Sequence, residues 1–340
     1  MAVKAKTKKQ KDSVVEIEAE ISADELEAHK KSIFSEWKKE MSADGFRKGN
    51  VPEEIAEKII DQKHLLEDAA YSAIDDSYPV ILEECEINPI TAPRVKVTKL
   101  VSGSPIEFTV TVAVKPEFSM PDYRKITKEL IQGVKKISVE EIEVDEAIKY
   151  VKRMRGAEDK DLTDKFVKTI GNFGNVSEFK QKIKENIEGE KQLAAKADLR
   201  EKIAEALILE TKIKIPQILL DDECARISIH LDHELEKSGM LKNDYFAKIK
   251  KTEGEFEAEE RVRAEKQYKT KYIFEKIAEK ENIAPSNKEV EAELSGFLSY
   301  YGGTDPDDAA KYVYEFLRNE KVISFLENGC VREATDEKKK

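Results

Sequence analysis

Residues 13–25 read Ser-Val-Val-Glu-Ile-Glu-Ala-Glu-Ile-Ser-Ala-Asp-Glu. From Val15 to Ile21 apolar residues alternate with Glu16, Glu18 and Glu20, the period of a strand with one buried face. Ser22 and Glu25 then stand three apart, the spacing of a capping box. There each side chain satisfies a backbone N–H that a starting helix would leave orphaned. The helix so opened carries Leu26, Ile33, Phe34, Trp37 and Met41 on or near one stripe and runs to about Ser42.

Working outward toward the C-terminus, Asp44-Gly-Phe-Arg-Lys-Gly-Asn50 interrupts the helix with glycines at 45 and 49. Pro52, with no N–H to lose, suits the first position of a second helix that reaches Ile60. A third helix is expected over His64–Leu82. Two alternating strands, Arg94–Val101 and Ile106–Val114, follow, joined by the turn Ser102-Gly-Ser-Pro105. An isolated two-stranded ribbon is only marginally stable, so the strand at 13–21 must join it. Residues 12–115 therefore form one α+β domain, helices with a small antiparallel sheet. On the N-terminal side, residues 1–11 carry five lysines and no acid and read as a disordered basic tail.

Beyond Lys115-Pro116 the pattern is helical: Ser138–Arg155, Ser177–Thr211, Pro216–Ser238, Gly254–Asn282, Ser286–Tyr301 and Pro306–Asn328. Ser138/Glu141 and Ser286/Glu289 have capping-box spacing, and Gly239 and Gly302-Gly303 suit stops. Phe179, Ile183 and Ile187 recur every four residues, as do Ile227, Leu231 and Leu235. Such narrow stripes on charged helices predict an elongated all-α domain of helical arms. The expected organisation is a linker and helix over 116–160, a helical body with arms over 161–334 and a disordered tail over 335–340.

Composition agrees with long solvated helices. Charged residues make up 38% of the 340, well above the usual quarter, and aromatics only 7%. The formal charge of -11 argues against a nucleic-acid coat and leaves room only for a local basic patch. No run of hydrophobic residues is longer than Ala206–Leu209, so no bilayer span is expected. Cys85, Cys224 and Cys330 are far apart without a CxxC and read as reduced thiols of a cytoplasmic protein.

Catalytic signatures are missing. No P-loop, HExxH, GxSxG or GxGxxG occurs, so no catalytic residue and no cofactor is expected. The best metal candidate, Cys224 with His230 and His233, lacks a fourth ligand and reads as ordinary helix-surface and seam residues, so no metal is expected.

The segment Gly45-Phe46-Arg47-Lys48-Gly49-Asn50, with Pro52, puts an aromatic and two cations at a glycine-flexed tip. Phe46 can enter an apolar dimple, and Arg47 and Lys48 can meet phosphates or carboxylates. The plainer alternative is a connector whose phenylalanine tucks back into the domain.

GFRKGNVP (45–52), after a strand and a capped helix and before a second helix, resembles the ribosome-docking signature of bacterial trigger factor. That pattern runs Gly-Phe-Arg-x-Gly-Lys-x-Pro, and Asn50 stands where the family usually has lysine. The order of elements over 12–115, the exit Met120-Pro-Asp-Tyr123, the segments 162–166 and 177–183, and Ile215–Asp222 are similar to that family in order and pattern. The likeness covers roughly residues 12–330. Between Arg155 and Asp161 there is no room for the family's prolyl-isomerase domain, so that activity is expected to be missing.

The resemblance implies an ATP-independent chaperone that docks at the ribosomal exit tunnel, on a tunnel-exit protein and nearby rRNA. Its clients would be unfolded and nascent polypeptides, with no membrane partner and weak homodimerisation when free. With no nucleotide site to drive release, client binding must be weak and multivalent. Phe297, Leu298, Tyr300, Tyr301, Tyr312, Tyr314 and Phe316 are the candidate apolar patches; at helical spacing such residues otherwise serve as seam or core. A free holdase, a residual isomerase and a helical scaffold without clients remain as alternatives.

Overall fold

The computed structural model describes residues 3–134, 137–158, 160–301, 303 and 305–330. Four strands, β1 (Val3–Lys11), β2 (Val14–Ile21), β3 (Arg94–Lys99) and β4 (Ile106–Ala113), form an antiparallel sheet in the order β1-β2-β4-β3. The helices are α1 (Ala23–Glu40), α2 (Glu53–Ile59), α3 (Gln62–Glu84), α4 (Tyr123–Gln132), α5 (Glu141–Met154) and α6 (Asp164–Ile170). They continue with α7 (Val176–Glu210), α8 (Gln217–Ser238), α9 (Lys242–Ile249), α10 (Glu253–Glu281), α11 (Asn287–Tyr300) and α12 (Pro306–Glu327). The expected α+β start and helical remainder are both present. The chain divides into two compact units, Met1–Phe118 with Ile213–Lys269, and Ser119–Lys212 with Thr270–Lys340.

In the first unit, β2 and β4 run in unbroken register from Val14 opposite Ala113 to Ile21 opposite Ile106. Their inner faces bury Ile17, Ile21, Phe108 and Val110. Onto them α3 lays Ile74 and Ile81 together with Ala69, Ala70 and Ala73, the alanines letting its backbone approach the sheet. Ser22 caps α1 by accepting from the Glu25 N–H at 3.3 Å, and Leu26 closes the core beside it.

The N-terminal expectation needs correction, because residues 3–11 of the supposed disordered tail are the edge strand β1. Val3 and Ala5 reach the core, while Lys4 and Lys6 stand opposite Glu20 and Glu18. Lys8 pairs with Glu18 at 2.8 Å. A lysine-rich strand beside a glutamate-rich one loses the self-repulsion that would keep it apart. Asp12 and Ser13, at φ 50° and 61°, make the two-residue turn between them, the backbone of a type I′ hairpin. Residues 331–340, including the expected tail at 335–340, lie outside the described residues.

In the second unit, the stripe Phe179, Ile183, Ile187 of α7 packs on Val144 and Ile148 of α5 and Val167 of α6. The capping box expected at Ser138/Glu141 sits two residues later, at Glu140/Glu143, with Glu143 accepting from the Glu140 N–H at 2.9 Å. The box at Ser286/Glu289 stands as expected. Short helices α4, α6 and α9 were not anticipated; Asp122 caps α4 and Thr163 caps α6. At the start of α4 the Tyr123 hydroxyl donates to Glu281 at 2.5 Å, and Arg124 donates to the same oxygen at 2.7 Å. Burial pushes the Tyr123 hydroxyl up to about 12. On α7, Arg200 reaches the largely buried Glu327 of α12 at 2.6 Å. Among the described residues no helix is long and apolar enough to cross a membrane.

Candidate functional site

The tip between α1 and α2 is built by two short backbone loops. The Phe46 N–H donates to the Ala43 carbonyl at 3.0 Å and the Asn50 N–H to the Arg47 carbonyl at 2.9 Å. The Gly49 N–H reaches back to the Met41 carbonyl at 2.9 Å and ties the tip to the end of α1. Gly49 has φ +81°, and a Cβ there would stand 2.9 Å from the Lys39 carbonyl oxygen, so both conformation and space demand glycine. Gly45, at φ +85°, answers conformation only, since nothing lies within 4 Å of where its Cβ would be. Val51 is buried and anchors the far side, and Pro52 is the cap residue just before α2.

This frame presents Phe46 outward, 39% exposed, rather than tucking it into the domain. Arg47, Lys48 and Asn50 are exposed around it. The two cations are not equivalent. Lys48 pairs with Glu40 at the end of α1 at 2.5 Å, and this hydrogen bond holds the Glu40 carboxyl below its usual range. Arg47 has no ion-pair partner among the described residues. The tip thus offers an aromatic ring beside an uncommitted guanidinium, suited to an apolar dimple bordered by a carboxylate or phosphate.

The candidate aromatic residues of α11 and α12 do not form one patch. Phe297 stacks near Tyr301 at 4.8 Å and Tyr312 at 5.3 Å, and Tyr300 lies 4.8 Å from Tyr301. Tyr300 is 81% exposed, whereas Leu298 is half-buried. Tyr314 turns to a different face, where it borders a hollow with Ala278, Ile283 and Arg318. Phe316 is exposed one turn beyond Tyr312. Gly302 lies outside the described residues, and Gly303 has φ +96°.

Further apolar surface escaped sequence reading. Ile229 on α8, Leu241 just before α9 and Val262 on α10 are all about 70% exposed. Nearby, Tyr245 packs edge to face on Phe246 and Phe256, whose rings are tilted against each other, with Phe246 buried. The stripe Ile227, Leu231, Leu235 directed attention to the inner side of α8, and the outward Ile229 belongs to no periodic set. No group of three or more metal-capable side chains gathers among the described residues. Burial raises the Cys224 thiol above its usual pKa, which suits an inert side chain.

Two family profiles match the chain, "Bacterial trigger factor protein (TF)" over residues 1–151 and "Bacterial trigger factor protein (TF) C-terminus" over 175–337. The trigger factor of Finegoldia magna is 22% identical over 94% of this chain and 92% of its own length. That of Clostridium beijerinckii is 21% identical over 96% and 100%. A solved structure from work on promiscuous substrate recognition in folding and assembly activities of the trigger factor chaperone superposes with a TM-score of 0.60. It is 15% identical and covers 96% of this chain and 100% of its own. The Finegoldia alignment is 413 positions long against 340 residues here, so dozens of its positions have no counterpart. Only residues 152–174 separate the two profile matches, too few for a middle isomerase domain. With one profile spanning the sheet and its tip and the other the helical remainder, the chain belongs to the bacterial trigger factor family of chaperones.

Proposed function

We propose that this chain is a ribosome-docking, ATP-independent chaperone of the cytoplasm without prolyl-isomerase activity. The tip Gly45–Pro52 engages a protein at the exit tunnel and nearby rRNA, and apolar patches on the helical part shield emerging chains. The observation that carries the reading is the outward Phe46 beside an Arg47 with no ion-pair partner among the described residues, on a frame that requires Gly49. Client contact falls to Phe297, Leu298, Tyr300, Tyr301, Tyr312, Tyr314 and Phe316. These sit on more than one face, which favours several weak contacts over one strong site.

Co-sedimentation with 70S ribosomes at moderate salt tests the docking. Wild type should bind saturably, and Phe46→Ala/Arg47→Ala/Lys48→Ala should not. A wild type that stays in the supernatant would sink the docking reading. A free holdase is the second reading, favoured by the Lys48–Glu40 pair and by Asn50 in place of the family's lysine, since both lower the positive charge of the tip. Suppression of aggregation without ribosome binding would select it. For the isomerase, a proline-limited refolding assay should run at its uncatalysed rate.

A further inference from the structure

Strand β1 is an edge of its sheet: β2 lies on one side of it, and no strand of the described residues lies on the other. In an antiparallel ladder every second residue turns its N–H and C=O away from the neighbouring strand. β1 therefore holds a row of backbone donors and acceptors toward open space. From Val3 to Thr7 its register with β2 is unbroken, and only beyond Thr7 does it shift. That stretch is about 17 Å long and can pair with an extended segment of equal length.

Side chains on the outer face stand in rows across the sheet. Lys4 is opposite Glu20, Glu20 opposite Glu107 and Glu107 opposite Lys99. The next row runs Lys6, Glu18, Thr109, Lys96. Ion pairs follow these rows only in part. Glu107 pairs with Lys99 at 2.9 Å and Glu18 with Lys8 at 2.8 Å. Lys4 and Lys6 are left exposed, with no ion pair among the described residues. On the inner face Ala5 is half-buried and Thr7 exposed, although they stand opposite the buried Ala19 and Ile17. The helical layer thus stops short of this edge.

Lysines along an edge guard it against pairing, but only with some partners. A second copy of β1 would set lysine against lysine, which destabilises a sheet. A strand that alternates carboxylate and apolar residues meets no such repulsion. Its acids fall beside Lys4 and Lys6, and its apolar residues beside Ala5 and the rim of the core. β2 has that alternation and already occupies the other side of β1. Phosphates are poorer occupants, because a nucleic acid laid over these lysines also meets Glu16, Glu18 and Glu20 on the adjacent strand.

We propose that the open edge of β1 binds an extended acidic segment of another protein by strand addition. Main-chain hydrogen bonds supply the affinity, and Lys4 and Lys6 select the carboxylates. The site reads backbone and charge, so it rests on neither the tip between α1 and α2 nor the aromatic residues of α11 and α12.

Fluorescence anisotropy tests it, with the full chain titrated into a fluorescein-labelled peptide of alternating valine and glutamate. Wild type should bind the peptide saturably. Lys4→Glu/Lys6→Glu should lose about tenfold or more in affinity, with circular dichroism to establish that the variant is folded. Lys4→Gln/Lys6→Gln, a milder change to β1, should lose less. Two further peptides leave the protein untouched. N-methylation of alternate amides along one edge of the peptide should abolish binding, and along the other edge should preserve it, because an added strand pairs along one edge only. A wild type that does not bind the parent peptide overturns the proposal. So does equal binding of both methylated peptides, which would reduce the contact to charge attraction. Tighter binding of polyuridylate through the same lysines also overturns it and would make the row a nucleic-acid patch.

Discussion

At the tip, two neighbouring cations differ because of one carboxylate. Glu40 closes α1 and holds Lys48, while Arg47 projects with no ion-pair partner among the described residues. Both partners of the Lys48–Glu40 pair are well exposed, so the pair is weak and opens readily. Arg47→Ala is therefore expected to lower ribosome affinity by roughly ten- to hundredfold, the usual effect of losing a charge-assisted hydrogen bond. Glu40→Gln frees Lys48 and should raise affinity about two- to threefold. Both are read from co-sedimentation isotherms. If Glu40→Gln weakens binding instead, Lys48 serves to brace the tip and is not a ribosome contact. Gly49 is fixed by a different requirement, because its φ and the Lys39 carbonyl exclude a side chain whatever the partner.

Single elements carry two further predictions. The β1–β2 turn places both Asp12 and Ser13 at positive φ, where Asp-Gly is the favoured pair. Ser13→Gly should stabilise the first unit by about 0.5–1 kcal/mol by removing the strain of a Cβ in the left-handed region. Trp37, the single tryptophan, lies in that unit, so urea unfolding followed by its fluorescence reads the change. An unchanged midpoint would mean that the turn is relaxed as it stands. At the start of α11, Glu289 accepts from the Ser286 N–H and hydroxyl and pairs with Lys321 at 2.8 Å. These contacts, the Lys321 hydrogen bond foremost, hold its carboxyl down to about 2. A carboxylate depressed in the folded state stabilises above its unfolded pKa, and that contribution fades as pH falls from about 4.5 toward 2. Thermal melts of wild type and Glu289→Gln should accordingly differ most at pH 7, and the gap should narrow as pH falls below about 4.5 and close only toward pH 2. A gap that stays constant across this range would assign the difference to packing.

For the molecule as a whole, the decisive feature is that residues 213–269 belong to the same compact unit as the sheet domain. Ion pairs make this connection. Arg94 on β3 donates to Asp222 at 2.7 Å and Lys214 meets Asp12 at 3.1 Å, while within 213–269 Arg261 on α10 donates to Asp221 on α8 at 2.5 Å. Ile213, Ile215, Ile218 and Leu219 are buried alongside. Arg94→Ala should raise amide hydrogen exchange in residues 213–222 and leave β2 and β4 protected. Unaltered exchange would show that the isoleucines and leucine hold this segment without the ion pairs.

Local periodicity was enough for β2, β4, α1, α3 and the long helices, because their apolar spacing matches only one kind of element. It also located Gly45–Pro52, where glycines break a helix beside an aromatic and two cations. Tertiary structure decided the rest, through interactions between residues far apart in the chain. Lysine density made 3–11 look unfolded until Glu18 and Glu20 stood opposite as partners. The candidate aromatics of α11 and α12 were divided between faces by how the two helices meet. Likewise Ile229 and Val262 became visible only once burial showed which side of each helix was already occupied. Spacing along the chain determines what an element is, and packing determines which of its surfaces is left to bind anything else.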